Sequence, residues 1–362
     1  MKRYPALEKP HTPDCEALLA NLRRKGTPKR VHHMELFHDP EIIDDICARY
    51  NLVKGLDPND KWFPQRKLIA QRRFLGMEYV SAGLLNIEMP LNWNRTEDTA
   101  GLQRANGRAF MDEHKGPITS WDDFKKYPWP DVSKASTELL EWYEKNLPDG
   151  MCIASHTGHF AENLCWLMGY ETLCYALYDQ RDLVKAIYDK VLAQHRAELK
   201  LILQFPRVRM IWGSDDMGFK TGLLISPDDT REFALAGHKA LVKIAHDAGR
   251  IYLLHACGKL DDIREDLIED VKIDGKHSFE DTIEDVRDAK RAYGKRLSLI
   301  GGIDVDFLCR SDEKAIRQRV RDTIDVCRPG GGWCLGTGNS VANYIPVDHY
   351  LAMVDEGWAY GG

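Results

Sequence analysis

His255 and Cys257 stand two apart at the end of an apolar run, residues 251–260 (IYLLHACGKL), with Gly258 directly after them. In a strand, residues i and i+2 share a face. An imidazole and a thiol therefore leave this strand side by side, and both are zinc donors. Another sulfur is available far downstream in Cys334, inside the glycine-rich run GGGWCLGTGN at 330–339. Catalytic zinc sites keep three protein ligands and leave one position open. The expectation is that His255, Cys257 and Cys334 converge on one such ion. Spacing alone is weak support, because 13 His and 9 Cys give about 0.3 H-x-C pairs by chance. Placement adds weight, since both halves end or follow apolar strands beside glycines that let backbones crowd together. The competing reading makes Cys257 and Cys334 small buried apolar groups and His255 a hydrogen-bonded core residue.

Other groups fall at the ends of expected strands. Asp215 and Asp216 form a paired carboxylate suited to acid–base work or a magnesium site, or to capping a helix or fixing a loop. Glu280 lies just past a strand end, where it could complete a metal site or simply sit in an acidic loop with Asp281, Glu284 and Asp285. Glu35, His156, Asp216 and His277 are candidate substrate contacts, with Glu88, His159 and Asp304 further down the list. The catalytic pair expected from these is Asp215 and Glu280. GGGWCLGTGN could also cradle a phosphate, but it lacks the Lys-Ser/Thr of a P-loop.

Eight strands are needed to carry these groups. They are expected near residues 30–37, 77–81, 151–155, 209–213, 251–255, 273–278, 297–301 and 332–335. Most are separated by helices, including 161–168, 181–204, 226–248, 261–269, 283–293, 312–327 and 346–355. Alternating strand and helix in this number predicts an α/β chain folded as one (β/α)₈ TIM barrel over 1–362. Residues 1–29 form an N-terminal extension whose helix, 14–25, lies across one end. Residues 83–148 show no period and carry Trp93, Trp121, Tyr127 and Trp129. They read as an aromatic-rich excursion after the second strand, close to the barrel mouth.

Bulk composition limits the partners. The 362 residues are 43% hydrophobic and 29% charged, with a formal net charge of −6 and no basic block, which argues against nucleic acid. No run of 18 apolar residues is present, so no membrane partner is expected. The first residues lack the apolar core of a signal peptide. Nine cysteines without such a signal are expected in a reducing cytoplasm rather than in disulfides.

Four blocks, GSDDMGFKTGLLISPDDTREF, HACGKL, LSLIGGIDVDFL and GGGWCLGTGNSVANYIPVDHYLAMV, resemble those of the uroporphyrinogen decarboxylase superfamily, in its order. The resemblance runs from residue 30 to 362 and implies a (β/α)₈ barrel. Its decarboxylase branch uses an arginine-rich N-terminal block, where this chain has HHMELFHD. Its zinc methyltransferase branch, which includes methylcobamide:coenzyme M methyltransferases, carries H-x-C and a single distant Cys. His255, Cys257 and Cys334 match that pattern. The resemblance thus implies a Zn2+-dependent enzyme moving a methyl group between a corrinoid (cobalamin) and a small substrate such as a thiol. Asp215 would position substrate, and Glu280 would be a displaceable fourth ligand. The corrinoid would ride on a separate protein, because no DxHxxG block is present. A decarboxylase-like enzyme acting on a polycarboxylate, and a non-catalytic tetrapyrrole-binding protein, are the alternatives. The methyl-transfer reading requires the Cys334 sulfur to reach the other two groups.

Overall fold

The computed structural model describes residues 2–112 and 114–362. Seven parallel strands form one curled sheet in the order Tyr79–Ser81, Cys152–His156, Val208–Ser214, Ile251–His255, Gly275–His277, Ser298–Ile300 and Trp333–Cys334. Each follows its neighbour in sequence through a helical crossover, the right arrangement for a barrel-like α/β fold. Ile251–His255 is buried at every position, as its unbroken apolar run requires of a strand covered on both faces.

The expected first strand, 30–37, is in place but is not a full strand. It touches the last strand through a single bridge, His33 to Leu335, with Met34 N donating to Leu335 O at 2.8 Å and Leu335 N to His32 O at 2.9 Å. On its other side the Tyr79 hydroxyl lies where a ladder would run. It accepts from Glu35 N at 3.0 Å and donates to Glu35 O at 2.5 Å. A side chain thus replaces backbone pairing there.

Helix Cys15–Leu22 starts at Asp14, whose carboxylate accepts from Ala17 N at 2.9 Å, a standard N-cap. As expected, it lies across one end. Cys15 N donates to Gly150 O, Gly332 N to Asn21 O and the Ser298 hydroxyl to Leu22 O, while Arg24 reaches Asp274 O. All four partners sit at strand starts, so this helix floors the barrel and the opposite mouth is open.

The excursion is more ordered than its sequence suggests. Trp93–Thr96 and Arg108–Met111 pair as an antiparallel hairpin, and Trp121–Lys126 and Glu138–Asn146 are helices. Every residue of Trp93–Thr96 is exposed, so the strand shows no apolar alternation to read. Asp98 anchors the segment by accepting from Arg104 N at 2.9 Å and Asn343 Nδ2 at 2.6 Å. Helix Tyr170–Asp179 was also absent from the expected elements. The 226–248 helix is broken by a turn of π-helix, Arg231–Leu235, before Ala236–Asp247.

Candidate metal centre

Three ligand-bearing side chains converge at the open mouth: Asp216, His255 and Cys257, whose donor atoms all lie within 4.8 Å of one another. His255 ends its strand. Cys257 follows it, and Asp216 comes two residues after the neighbouring strand Val208–Ser214. Gly258 makes the approach of the two loops possible. Its φ is +90°, and a Cβ there would lie 2.1 Å from the Gly218 carbonyl carbon, so only glycine fits. Lys259 N then donates to Phe219 O at 2.8 Å, and Cys257 N to Asp216 Oδ1 at 2.8 Å.

The spacing suits a cation. His255 Nε2 is 3.4 Å from Cys257 Sγ and 3.3 Å from Asp216 Oδ1. Tetrahedral zinc with bonds of ~2.3 Å to sulfur and ~2.0–2.2 Å to nitrogen or oxygen has donor–donor edges of roughly 3.3–3.6 Å. The hydrogen bonds behind His255 select the tautomer that binding needs. His277 Nε2 lies 3.3 Å from Thr337 O, which can only accept, so that nitrogen carries the proton. His277 Nδ1 is then an acceptor, and His255 Nδ1, 2.7 Å away, donates to it. The His255 Nε2 lone pair is left aimed at Asp216 and Cys257. Two acceptors, Nε2 and a carboxylate oxygen, face each other there, an arrangement that calls for a proton or a cation between them.

Electrostatics agree. Burial, and then the Asp216 charge, push the Cys257 thiol up to about 12. Burial opposes ionisation of Asp216, but a proton on His255 Nε2, where no cation takes its place, and the Cys257 N–H overcome it and hold the carboxyl down at about 2. Asn339 Nδ2 at 3.3 Å and the Ser278 hydroxyl at 3.7 Å both donate to Cys257 Sγ. The sulfur is thus prepared to be a thiolate but needs a cation to become one at neutral pH.

Cys334 is a correction. It does not join this group. Its sulfur is fully buried and accepts from Asn21 Nδ2 on the floor helix at 3.4 Å. The last strand pairs Ile300 with Cys334, while His255 pairs with His277. Barrel strands tilt ~35–45°, so a register line crossing strands ~4.8 Å apart changes height by about 3 Å per strand. Cys334 consequently faces the floor. The residues of its segment that reach the mouth are Thr337 and Asn339.

The other expected site residues divide. Asp215 is fully buried and fixed: its carboxylate accepts from Ala161 N at 3.0 Å, Glu162 N at 2.9 Å and His238 Nε2 at 2.9 Å. It caps helix Ala161–Met168 and has no face for substrate, which corrects its catalytic assignment. Glu280 lies outside the ligand group, and its carbonyl accepts from Ile283 N and Glu284 N. Its backbone shapes a turn there. Glu35 is buried against Thr337, accepting from Thr337 N and its hydroxyl at 3.0 and 2.6 Å. It locks the last strand instead of meeting substrate. His277 is buried and bonded to His255, and Asp216 falls within the donor cluster. His156 stacks 5.7 Å from Trp212. Burial lowers its pKa to about 4, so it is neutral. Ser278 and Asn339 were missed, since no sequence pattern marks a donor to sulfur.

Beside Asp216 opens a cleft of about 320 Å³ lined by Trp166, Tyr170, Phe219, Glu162 and Asp112, among others. Asp112 comes from the excursion.

A barrel-like α/β fold with a donor cluster and a cleft at the C-terminal ends of its strands has the layout of an enzyme. Residues 113–359 match the family model of uroporphyrinogen decarboxylase (URO-D), and the chain belongs to that family. No curated protein sequence matches it. Among solved structures it is similar to a methyltransferase from Methanosarcina mazei, with TM-score 0.67 and 16% identity over 94% of this chain and 97% of that one. It is also similar to a B12-independent methionine synthase from Shewanella sp. W3-18-1, with TM-score 0.46 and 11% identity over 92% and 94%. Among the described residues no helix is long and apolar enough to cross a membrane.

Proposed function

We propose that this chain is a zinc-dependent methyltransferase, moving a methyl group between a corrinoid carried by a separate protein and a small substrate. The observation that carries the reading is the Asp216, His255 and Cys257 cluster, with the His255 lone pair aimed into it. The second sulfur expected of the site is replaced by the Asp216 carboxylate. A carboxylate in place of the second thiolate keeps the same charge: one thiolate, one carboxylate and a neutral imidazole balance a divalent zinc. Three protein ligands leave one position free. Zinc held there would supply Lewis acidity that lowers the pKa of a coordinated substrate thiol.

The remaining work falls to the chain itself. His277 fixes the His255 tautomer. Ser278 and Asn339 support charge on Cys257 sulfur, and Asp216 ties the two loops together through Cys257 N. The aromatic cleft orients the small substrate and keeps water off the reacting group. Porphyrinogen decarboxylation fits poorly, since no Lys or Arg is found among the described residues lining the cleft to hold many carboxylates. The volume is also at the low end of the ~300–1,000 Å³ usual for small-molecule sites, which disfavours a tetrapyrrole-binding role. A cytoplasmic location accords with the nine cysteines, all outside disulfides.

Metal analysis of anaerobically purified protein tests the proposal. It should give one zinc per chain, lost in Asp216→Ala, His255→Ala and Cys257→Ala but retained in Cys334→Ala. Zinc-dependent conversion of a methylcorrinoid in the presence of a thiol should follow the same pattern. Metal-free protein, or metal lost on changing Cys334 alone, overturns it.

A further inference from the structure

We propose that the small molecule taken by the cleft beside Asp216 is a cation, an organic ammonium ion whose alkyl groups pack against aromatic rings. The inference rests on the metal-site reading for its role in the reaction, but its binding chemistry belongs to the cleft. Trp166, Tyr170 and Phe219 supply the rings. Tyr170 and Phe219 meet edge to face, with centroids 6.1 Å apart at 82°. The Tyr170 hydroxyl is tied to Leu224 O at 2.5 Å, which holds its ring in place. Aromatic faces attract a cation through their quadrupoles, and most strongly where water is displaced.

Charge points the same way. Glu162, Asp112 and Asp216 line the cleft, and no Lys, Arg or His does among the described residues. Asp216 is balanced by the metal in the proposed site. Asp112 is kept ionised by the amides of His114 at 2.9 Å and Lys115 at 3.2 Å. Glu162 accepts from His159 Nδ1 at 2.7 Å, which offsets one charge and leaves the sum negative. A sulfonate or carboxylate would meet repulsion here. A neutral molecule would displace water from these carboxylates and return nothing. A cation answers both the rings and the acids. The cleft volume suits a trimethylammonium-sized head with a short tail.

The test is calorimetric titration of the full chain with tetramethylammonium, tert-butanol and methanesulfonate, three probes of similar size and different charge. Each is run on zinc-loaded and chelator-treated protein. Saturable binding is expected for tetramethylammonium alone, in both preparations. Affinity should fall by roughly fivefold or more in Trp166→Leu and in Glu162→Gln, the scale of a ring–cation contact of ~1 kcal/mol. Phe219→Leu, at a residue 54% exposed, gives a variant whose folding is not at risk and should weaken binding in the same direction. Equal binding of tert-butanol, or preference for methanesulfonate, overturns the inference. Zinc content is read on the same samples. A chain that holds zinc but shows no preference for the cation refutes the inference alone. A chain that binds the cation but no zinc refutes the proposed activity alone.

Discussion

The tautomer chain behind the metal site gives the sharpest prediction. His277 presents Nδ1 as an acceptor to His255 Nδ1–H at 2.7 Å, because its own Nε2 proton goes to Thr337 O. Replacing His277 with Phe removes that acceptor but keeps a flat ring against Trp212, 5.9 Å away. His255 would then be free to carry its proton on Nε2, in the position the metal needs. Partners of this kind contribute about 10–100-fold in metal affinity, or ~1.4–2.8 kcal/mol. His277→Asn is the control, since its side-chain oxygen falls close to the place of Nδ1 and restores an acceptor. Competition with a chromophoric chelator under anaerobic conditions should show zinc affinity falling 10–100-fold in the Phe variant and within about threefold of wild type in the Asn variant. The ring is tightly seated: a Cβ on Gly301 would lie 3.2 Å from it. Thermal melts therefore accompany the titration, to separate a packing loss from a ligand effect. If both folded variants bind zinc as tightly as wild type, the tautomer argument is wrong.

Three further predictions follow from buried charges. Zinc binding must displace the proton of Cys257, which burial and Asp216 push up to about 12. Apparent zinc affinity, read by chelator competition, should therefore rise about tenfold per pH unit between pH 6.5 and 8.5, and a flat profile refutes displacement of a thiol proton. Asp215→Asn leaves His238 and two helix amides poorly paired inside the fold. It should destabilise by ~3–5 kcal/mol. With an unfolding entropy of ~2.1 cal/mol/K per residue, that is a fall of about 4–7 °C in Tm by circular dichroism, with zinc content unchanged. Burial raises the Glu35 carboxyl to about 8 against the opposing donors of Thr337. The folded state keeps that proton while the unfolded state releases it near ~4.3, so this group's contribution is present in acid and lost as pH rises towards 8. Denaturant unfolding at pH 5, 6.5 and 8 should show Glu35→Gln gaining on wild type by up to ~1.4 kcal/mol per pH unit.

The strand Ile251–His255 was legible to the residue, and so was helix Ala161–Met168, because apolar runs and their flanking breakers are local signals. Two of the three donors in the cluster, His255 and Cys257, came with that strand and its exit. The misreading of Cys334 has a geometric cause. Sequence shows which face of a strand a side chain takes, but height along a tilted barrel depends on register with strands far away in the chain. Asp216 carried no such penalty. It stands beside Asp215 in GSDD, and nothing local tells which carboxylate turns inward to cap a helix and which turns to the mouth. The strand expected at 30–37 has the right place but not the right pairing, since Tyr79 supplies from another segment what a ladder would have supplied.

The floor helix has a consequence for how the molecule is made. Asn21 holds Trp333 O at 2.8 Å across 312 positions of chain, and Tyr4 meets Asp348 across 344. During synthesis the base of the curled sheet therefore waits, half-lined, until residues 333 to 348 have left the ribosome. Closure is among the last and slowest events, as contacts so distant in sequence dictate. Until then the polar amide of Asn21 has no strand to hold, and the nascent chain is at its most vulnerable to aggregation.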